Sequence, residues 1–294
     1  MLAWGDRHLR GLPWRATRDP WAILVSEVMA QQTGVDRVIP YWHAFLARFP
    51  TPAVCAASPV GDVVRLWSGL GYNRRAVNLH RCAQAVAERH SGVLPDRLDD
   101  LLALPGVGPY TARAVLAFAF ERPVGVVDTN VGRVLARWEG RSLRPAAAQS
   151  LADSLVRTAE STGADPGPGA GRAGPAWVWN QAVMELGGTV CRRRRPDCRA
   201  CPVRPWCAWA AAGLTPPDPA DGSAGVSTGQ PRFDGSDRQG RGRLVEALCR
   251  GPVAVAVAAA VMGWPDDPAR ADRVVVGMLA DGLAATDGDT HRLP

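Results

Sequence analysis

Three groups of side chains in this chain have the types and spacing to do chemistry. The first is a run of four cysteines, Cys191-x6-Cys198-x2-Cys201-x5-Cys207, inside the string CRRRRPDCRACPVRPWC. Closely spaced thiols in a cytosolic chain bind metal more often than they pair as disulfides. Four thiolates on one loop suit either a tetrahedral zinc or a cubane 4Fe–4S cluster, and the residues alone do not choose between them. The second is Glu27 in DPWAILVSEVMAQQTGV, three residues after Leu24 and four after Ile23. On a helix these positions share a face, so the carboxyl is expected among apolar neighbours, where burial raises its pKa and keeps a proton available. The third is Asp128 in VGVVDTNVGRVLARW, after a short apolar run and just before a helical pattern. An aspartate there is expected to cap the helix.

Composition narrows the setting. The chain of 294 residues has a net charge of +6, and all 34 of its Lys+Arg residues are arginine. With a sequence pI near 9.3, a polyanion such as nucleic acid is the expected partner. Without lysine no side-chain amine can form a Schiff base with an aldehyde, and arginine, always protonated, is no substitute. No apolar run approaches the length of a bilayer crossing, and MLAWGDRHLRGLPWR lacks the layout of a secretory signal. These features imply a cytosolic protein with no membrane partner.

The elements that must position these groups read as helices. Asp19-Pro20 is a good helix start. Helical spacing continues over roughly 21–32, 36–48, 59–68, 74–89, 97–103, 110–119, 130–138, 148–159 and 176–187. Ser161–Pro175 reads as a flexible loop, and Leu214–Pro231, rich in Pro, Gly, Ser and Asp, as a linker. Past the linker, helical runs near 238–250 and 269–281 and an Asp-Gly turn in LAATDGDTHRLP suggest a small winged-helix shape. LPGVGPYTA (Leu104–Ala112) joins two helical runs through Gly106 and Gly108. Both glycines are expected to take backbone conformations closed to other residues, and the helix after them to aim free N–H groups at a phosphate. Arg192–Arg195, inside the first cysteine interval, suit phosphate contacts if the loop is clamped. Cys55, Cys82 and Cys249 are expected as small core residues.

The cysteine spacing, the string LPGVGPYTA preceded by Leu101 and Leu102, and SEVMAQQT, WSGLGY and CPVRPWC resemble the MutY branch of the endonuclease III family of DNA glycosylases. The likeness covers roughly residues 1–210. It implies an all-α helix-hairpin-helix glycosylase fold of two helical lobes with an iron-sulfur loop, plus the small winged-helix-like module. Residues 1–18 and 131–212 would form the iron-sulfur lobe, 19–130 the hairpin lobe, 213–235 the linker and 236–294 the module. The implied enzyme removes adenine opposite 8-oxoguanine or guanine in double-stranded DNA, as a monomer acting on the bacterial nucleoid. Cys191, Cys198, Cys201 and Cys207 would hold a 4Fe–4S cluster that staples the arginine loop. Glu27 would protonate adenine and Asp128 stabilise the cationic sugar, with Asn130 orienting this machinery and Tyr110 supporting Asp128. Trp14, Arg15 and Glu185 match positions that line the adenine pocket, Gln32 a residue that inserts into the duplex, and Tyr72, Gly106 and Gly108 the DNA-contact strings. Strand-cutting relatives carry lysine at the position of Tyr110, so lyase chemistry is not expected.

Two departures stand out. Family members often follow GLGY with a second tyrosine that stacks at the mispair, whereas this chain has Asn73. The residues after Pro231 are too few for the larger Nudix-like domain that reads 8-oxoguanine in well-known members, and a winged helix would supply non-specific DNA affinity instead. Two other functions compete: a thymine glycosylase at G·T mismatches, which SEVMAQQT disfavours, and a non-catalytic iron-sulfur DNA-binding regulator. The regulator would not need Glu27 and Asp128 together.

Overall fold

The computed structural model describes residues 1–162, 173–223 and 232–294. Helices α1 (Leu2–His8), α2 (Pro20–Ala30), α3 (Val35–Arg48), α4 (Pro52–Ala57), α5 (Val60–Trp67) and α6 (Arg74–Arg89) come first. They are followed by α7 (Leu98–Leu102), α8 (Pro109–Phe118), α9 (Thr129–Glu139), α10 (Pro145–Ser161), α11 (Pro175–Thr189) and α12 (Ala208–Ala211). The C-terminal residues add α13 (Asp237–Arg250), β1 (Val253–Ala254), α14 (Ala258–Met262), α15 (Pro268–Asp281), β2 (Ala285–Asp287) and β3 (Thr290–Arg292). The helices read from spacing are present within a few residues of their expected ends. The short helices α1, α4, α12 and α14 were not anticipated, since one or two turns carry too few periods to make a pattern. Among the described residues no helix is long and apolar enough to cross a membrane.

Local chemistry sets many of the boundaries. Proline occupies the first turn of α4, α8, α10, α11 and α15, where its missing N–H costs nothing. Asp19 Oδ1 accepts from Trp21 N at 3.0 Å to start α2, and Thr51, Asp128, Ser236 and Asp267 cap α4, α9, α13 and α15. Helix α2 departs from the expected one-sided pattern. Every residue from Trp21 to Met29 is buried, including Ser26 and Glu27, so this helix is enclosed on all faces. Position on a stripe therefore does not distinguish Glu27; being the one ionisable group in an enclosed helix does.

The chain divides into two compact units, Met1–Ile23 with Asp96–Leu98 and Gly108–Gly229, and Leu24–Pro95 with Asp99–Val107 and Gln230–Pro294. In the first, α11 packs against α1, α9, α10 and α8, with a core of Val131, Val134, Leu135, Ala136, Leu143, Ala148, Val183 and Leu186. In the second, α6 packs against α4 and α5, and α3 and α13 also lie on α5. Phe45 sits edge-on to Phe49 and Trp67, with ring centroids 5.0 and 6.3 Å away. The C-terminal module holds an antiparallel sheet in the order β1-β3-β2, with the β2–β3 hairpin turning at Asp287–Thr290. Such a hairpin beside helices gives the expected winged-helix-like shape. The module is fastened within its unit by Gly61 N to Pro294 O at 3.1 Å and Arg74 to Asp281 at 3.2 Å.

The expected loop over Ser161–Pro175 falls largely on residues 163–172, outside the described residues, as do residues 224–231 of the expected linker. Residues 214–223 of that linker are packed into the first unit. Asp218 pairs with Arg137 at 2.5 Å, and Ala220 and Ser223 are buried, the Ser223 hydroxyl accepting from Leu143 N at 3.1 Å.

At the helix-hairpin-helix turn the two glycines behave differently. Gly106 has φ +76°, and a Cβ there would lie 2.7 Å from Cβ of Asn78. Gly108 has φ −93° and ψ 177°, and an added Cβ would meet nothing within 4 Å. Only Gly106 is sterically required; Gly108 leaves the start of α8 without a side-chain cap. Gly106→Ala is expected to cost about 1–3 kcal/mol, and Gly108→Ala less than about 0.5 kcal/mol, measured by denaturant unfolding. Equal losses would refute this division.

Candidate functional site

In the first unit, α9 organises the site. Asp128 caps it, with Oδ1 accepting from Val131 N at 2.7 Å and Oδ2 accepting from Asn130 Nδ2 at 2.9 Å. Asn130 Oδ1 accepts in turn from Arg133 Nη2 at 2.8 Å. The buried Arg133 also donates to Gly187 O at 2.6 Å and, through Nε, to Cys191 O at 2.7 Å. A continuous line of bonds thus runs from the Asp128 carboxylate to the backbone of the first cysteine. Helix α11 can come this close because Gly187 has no Cβ: one would stand 2.7 Å from Asn130 Cβ. Burial pushes the Asp128 carboxyl above its ordinary range, opposed by the hydrogen bonds from Val131 and Asn130 and by the Arg133 charge.

One helical turn further along, Arg137 is almost fully buried and binds the cysteine loop from behind. It donates to Arg192 O at 2.8 Å, Arg193 O at 3.1 Å and Cys191 Sγ at 3.4 Å, while pairing with Asp218. Its guanidinium lies 4.7 Å from the Trp209 ring centroid. The loop backbone is therefore pinned, while the side chains of Arg192, Arg193, Arg194 and Arg195 stay exposed. Cys191, Cys198, Cys201 and Cys207 line one cavity with Val134, Leu186, Val190 and Val203. Among the described residues no three His, Cys, Asp or Glu side chains are grouped as one metal ion would need. Cys55 and Cys82 are buried, as expected of small core residues, and burial pushes both thiols up to about 12. Cys249 is only partly buried.

Also in the first unit, Glu185 is 1% exposed, and its carboxylate is taken up by two arginines. Arg10 Nε approaches Oε1 at 2.5 Å and Arg15 Nη2 approaches Oε2 at 2.8 Å. Arg15 also donates to Gln181 Oε1 at 2.8 Å. Stranding such a buried charge costs about 3–5 kcal/mol, so Glu185 holds Arg15 in place before it does anything else. Trp14 and Tyr110 are half-buried, Tyr110 in the first turn of α8.

The second unit carries Glu27 (8% exposed), Gln32, Tyr72 and Gly106. Gln32 is exposed, with φ 57°, in the turn that follows α2. Tyr72 is 41% exposed, with φ 50°. Buried Arg75 holds both turns, donating to Val28 O (2.8 Å), Met29 O (3.0 Å), Gln31 O (2.6 Å), Gly71 O (3.0 Å) and Thr33 Oγ1 (3.2 Å). These satisfy carbonyls at the C-terminal end of α2 that the helix leaves unpaired. Burial lowers the Arg75 guanidinium to about 10, which leaves it charged at neutral pH.

Reasoning from sequence missed Arg75, Arg133, Arg137 and Asp218. A signal existed for two of them: Arg133 and Arg137 stand four apart in VGRVLARW, on a helix otherwise apolar enough to be core.

Comparison with known proteins identifies the family and the fold. A family model described as "HhH-GPD superfamily base excision DNA repair protein" matches residues 25–157. The chain is 42% identical over 292 residues to a Mycobacterium tuberculosis protein named adenine DNA glycosylase, covering 98% of this chain and 90% of that one. A Mycolicibacterium smegmatis protein of the same name is 40% identical, with 98% and 92% covered. Among solved structures, a thermostable thymine-DNA glycosylase has a TM-score of 0.60 at 26% identity, covering 72% of this chain and 93% of its own. A non-covalent endonuclease III–DNA complex, at TM-score 0.57 and 22% identity over 72% and 93% of the two chains, shares the fold.

The raised Asp128 pKa has a consequence for stability. Because the folded state binds this proton more tightly, the contribution is present below the unfolded carboxyl pKa and is lost as pH rises through the folded one. At neutral pH the group therefore costs stability, and Asp128→Asn, still able to cap, is expected to melt no lower than the parent. The advantage of the variant should shrink as pH falls. A variant melting several degrees lower at pH 7 would show that the charge itself holds the fold.

Proposed function

The chain belongs to the adenine DNA glycosylase family, and from that premise we propose its reaction and the side chains that carry it. It is an enzyme of base excision repair that hydrolyses the N-glycosidic bond of adenine in DNA. Its substrate in this reading is double-stranded DNA with adenine opposite 8-oxoguanine or guanine. The observation that carries the mechanism is the Asp128 carboxylate, desolvated yet locked by Val131 N–H and the Asn130 amide. Cleaving the bond to the base builds positive charge on the sugar carbon and ring oxygen. A fixed carboxylate, half-buried and already oriented, stabilises that charge without reorganising.

Glu27 acts as the acid. Its burial in α2 keeps it from the bulk, and it gives its proton to N7 of adenine so that the base leaves neutral. Water then adds to the sugar carbon and gives up a proton to the Glu27 carboxylate, producing free adenine and an abasic site. Asn130 and Tyr110 orient Asp128, Trp14 and Arg15 line the pocket for the extruded base, and Glu185 acts through Arg15. Gln32, exposed on its turn, enters the stack that the flipped base vacates. Tyr72, Gly106 and Gly108 lie on the DNA-contact turns. The chain works as a monomer, and with Tyr110 where a lyase has lysine it leaves the strand intact. The thymine and regulator readings are not favoured: relatives at 40–42% identity over nearly the whole chain are named for adenine.

Cys191, Cys198, Cys201 and Cys207 hold a 4Fe–4S cluster in this reading. The donor set is all thiol, and the four line one cavity with apolar walls. Bound there, the cluster supplies cross-linking of the loop, while Arg137 fixes the loop carbonyls and Arg192–Arg195 face solvent for phosphate contact.

Incubation with duplexes containing A·8-oxoG, A·G or T·G tests the reaction. Adenine release is expected, with strand breaks only after alkali; breaks without alkali, or thymine loss, would refute it. Glu27→Gln should slow excision at least about a hundredfold and still bind duplex. Purified protein should contain about four irons and four sulfides per chain, lost together in Cys198→Ser. One zinc per chain would replace the cluster in this account.

A further inference from the structure

The chain reaches Asp128 along a stretch that is neither helix nor strand, yet Gly125 and Val126 within it are buried. Buried backbone outside regular structure must find other partners for its N–H and C=O groups, and here side chains supply them. Asn180, 3% exposed on α11, grips the stretch at two points. Its Oδ1 accepts from Val126 N at 2.9 Å, and its Nδ2 donates to Val124 O at 3.0 Å. The same Nδ2 donates to Ala176 O at 3.0 Å, one turn back on α11, which fixes the amide against its own helix. Between these two points, Asp153 Oδ1 on α10 accepts from Gly125 N at 2.7 Å. Arg113 on α8 donates to that oxygen at 2.8 Å, and Gln149 on α10 donates to Gly125 O at 2.9 Å. Gly125 lies so close to α10 that an added Cβ would stand 2.6 Å from the carbonyl carbon of Ala152.

We propose that Asn180 is a positioning residue for base excision: by clamping Val124–Val126 it sets where the Asp128 carboxylate stands relative to the base pocket. This rests on the reading of Asp128 given above. Val126 is two residues from Asp128, at most about 7 Å of chain, so a shift at the clamp is passed on to the carboxylate. Helix α11 then holds Asp128 from both directions, upstream through Asn180 and downstream through Gly187 O, Arg133 and Asn130. The residue after Asn180 is Gln181, whose Oε1 accepts from Arg15 Nε at 2.8 Å. Adjacent residues of one rigid helix thus hold the sugar-facing carboxylate and an arginine of the pocket, which fixes the spacing between them. Asp153 is the second half of the clamp.

The test measures excision from an A·8-oxoG duplex under single turnover, after the fraction of protein able to bind duplex has been counted by stoichiometric titration. Asn180→Leu, similar in size but without the hydrogen bonds, should lower the rate constant about a hundredfold, with duplex affinity close to parental. Asp153→Ala should lower it too, and Asp153→Asn, which keeps an oxygen for Gly125 N, should restore most of the loss. Val156→Ala, which removes buried bulk from α10, should melt lower and keep the parental rate constant. A merely structural Asn180 would lower the melting temperature and the binding fraction while the rate constant stayed parental, and that result overturns the proposal. If Asn180→Leu yields no folded protein, the Asp153 pair decides. A slower Asp153→Ala restored by Asp153→Asn supports the clamp, and equal rate constants overturn it. A parent protein that releases no adenine defeats the glycosylase reading itself, whatever the variants do.

Discussion

The buried guanidinium of Arg133 is the constraint on which the first unit depends. A planar cation removed from water must have its donors met, or the helix carrying it does not fold as core. Arg133 meets them with Asn130, Gly187 and Cys191. Those contacts fix the crossing of α9 and α11, the position of Asn130, and the backbone from which the cysteine loop starts. Arg137 repeats the arrangement one turn later, at a position four residues on that shares the same face. Helix α9 therefore spaces the Asp128 carboxylate and the cysteine loop from one another along a single rigid element.

The second unit is built around a similar device. Arg75 gathers the carbonyls that end α2 and the turn carrying Tyr72. In a chain without lysine such roles fall to a fork with five fixed donors, and that suits them. An ammonium is a compact point charge with strong hydration, and it could not bridge carbonyls from two turns in one plane. The absence of lysine thus coincides with a structural use of arginine: at Arg75, Arg133 and Arg137 it serves as buried scaffold, and in Arg192–Arg195 as exposed charge.

The C-terminal residues belong physically with the second unit. Their hairpin, their fastening at Gly61 and Arg74, and the approach of Arg238 to Tyr72 make them part of that unit's surface.

Most helix positions, the caps at Asp19 and Asp128 and the glycine turn before α8 were legible in the sequence, because they follow from periodicity and from groups within four residues of one another. The cysteine spacing and the missing lysine were legible for the same reason: local order and composition need no fold to state them. The steric demand at Gly106 and its absence at Gly108 could not be told apart, since the difference is Asn78, far away in the chain. Nor could Arg75 be separated from the exposed arginines, or Asp218 from linker, and at Arg133 and Arg137 only their four-residue spacing on an apolar helix pointed to burial. An arginine reads identically whether its donors face water or carbonyls about fifty residues distant. Only tertiary contact decides which charges are desolvated, and desolvation is what makes a charge structural or chemically useful.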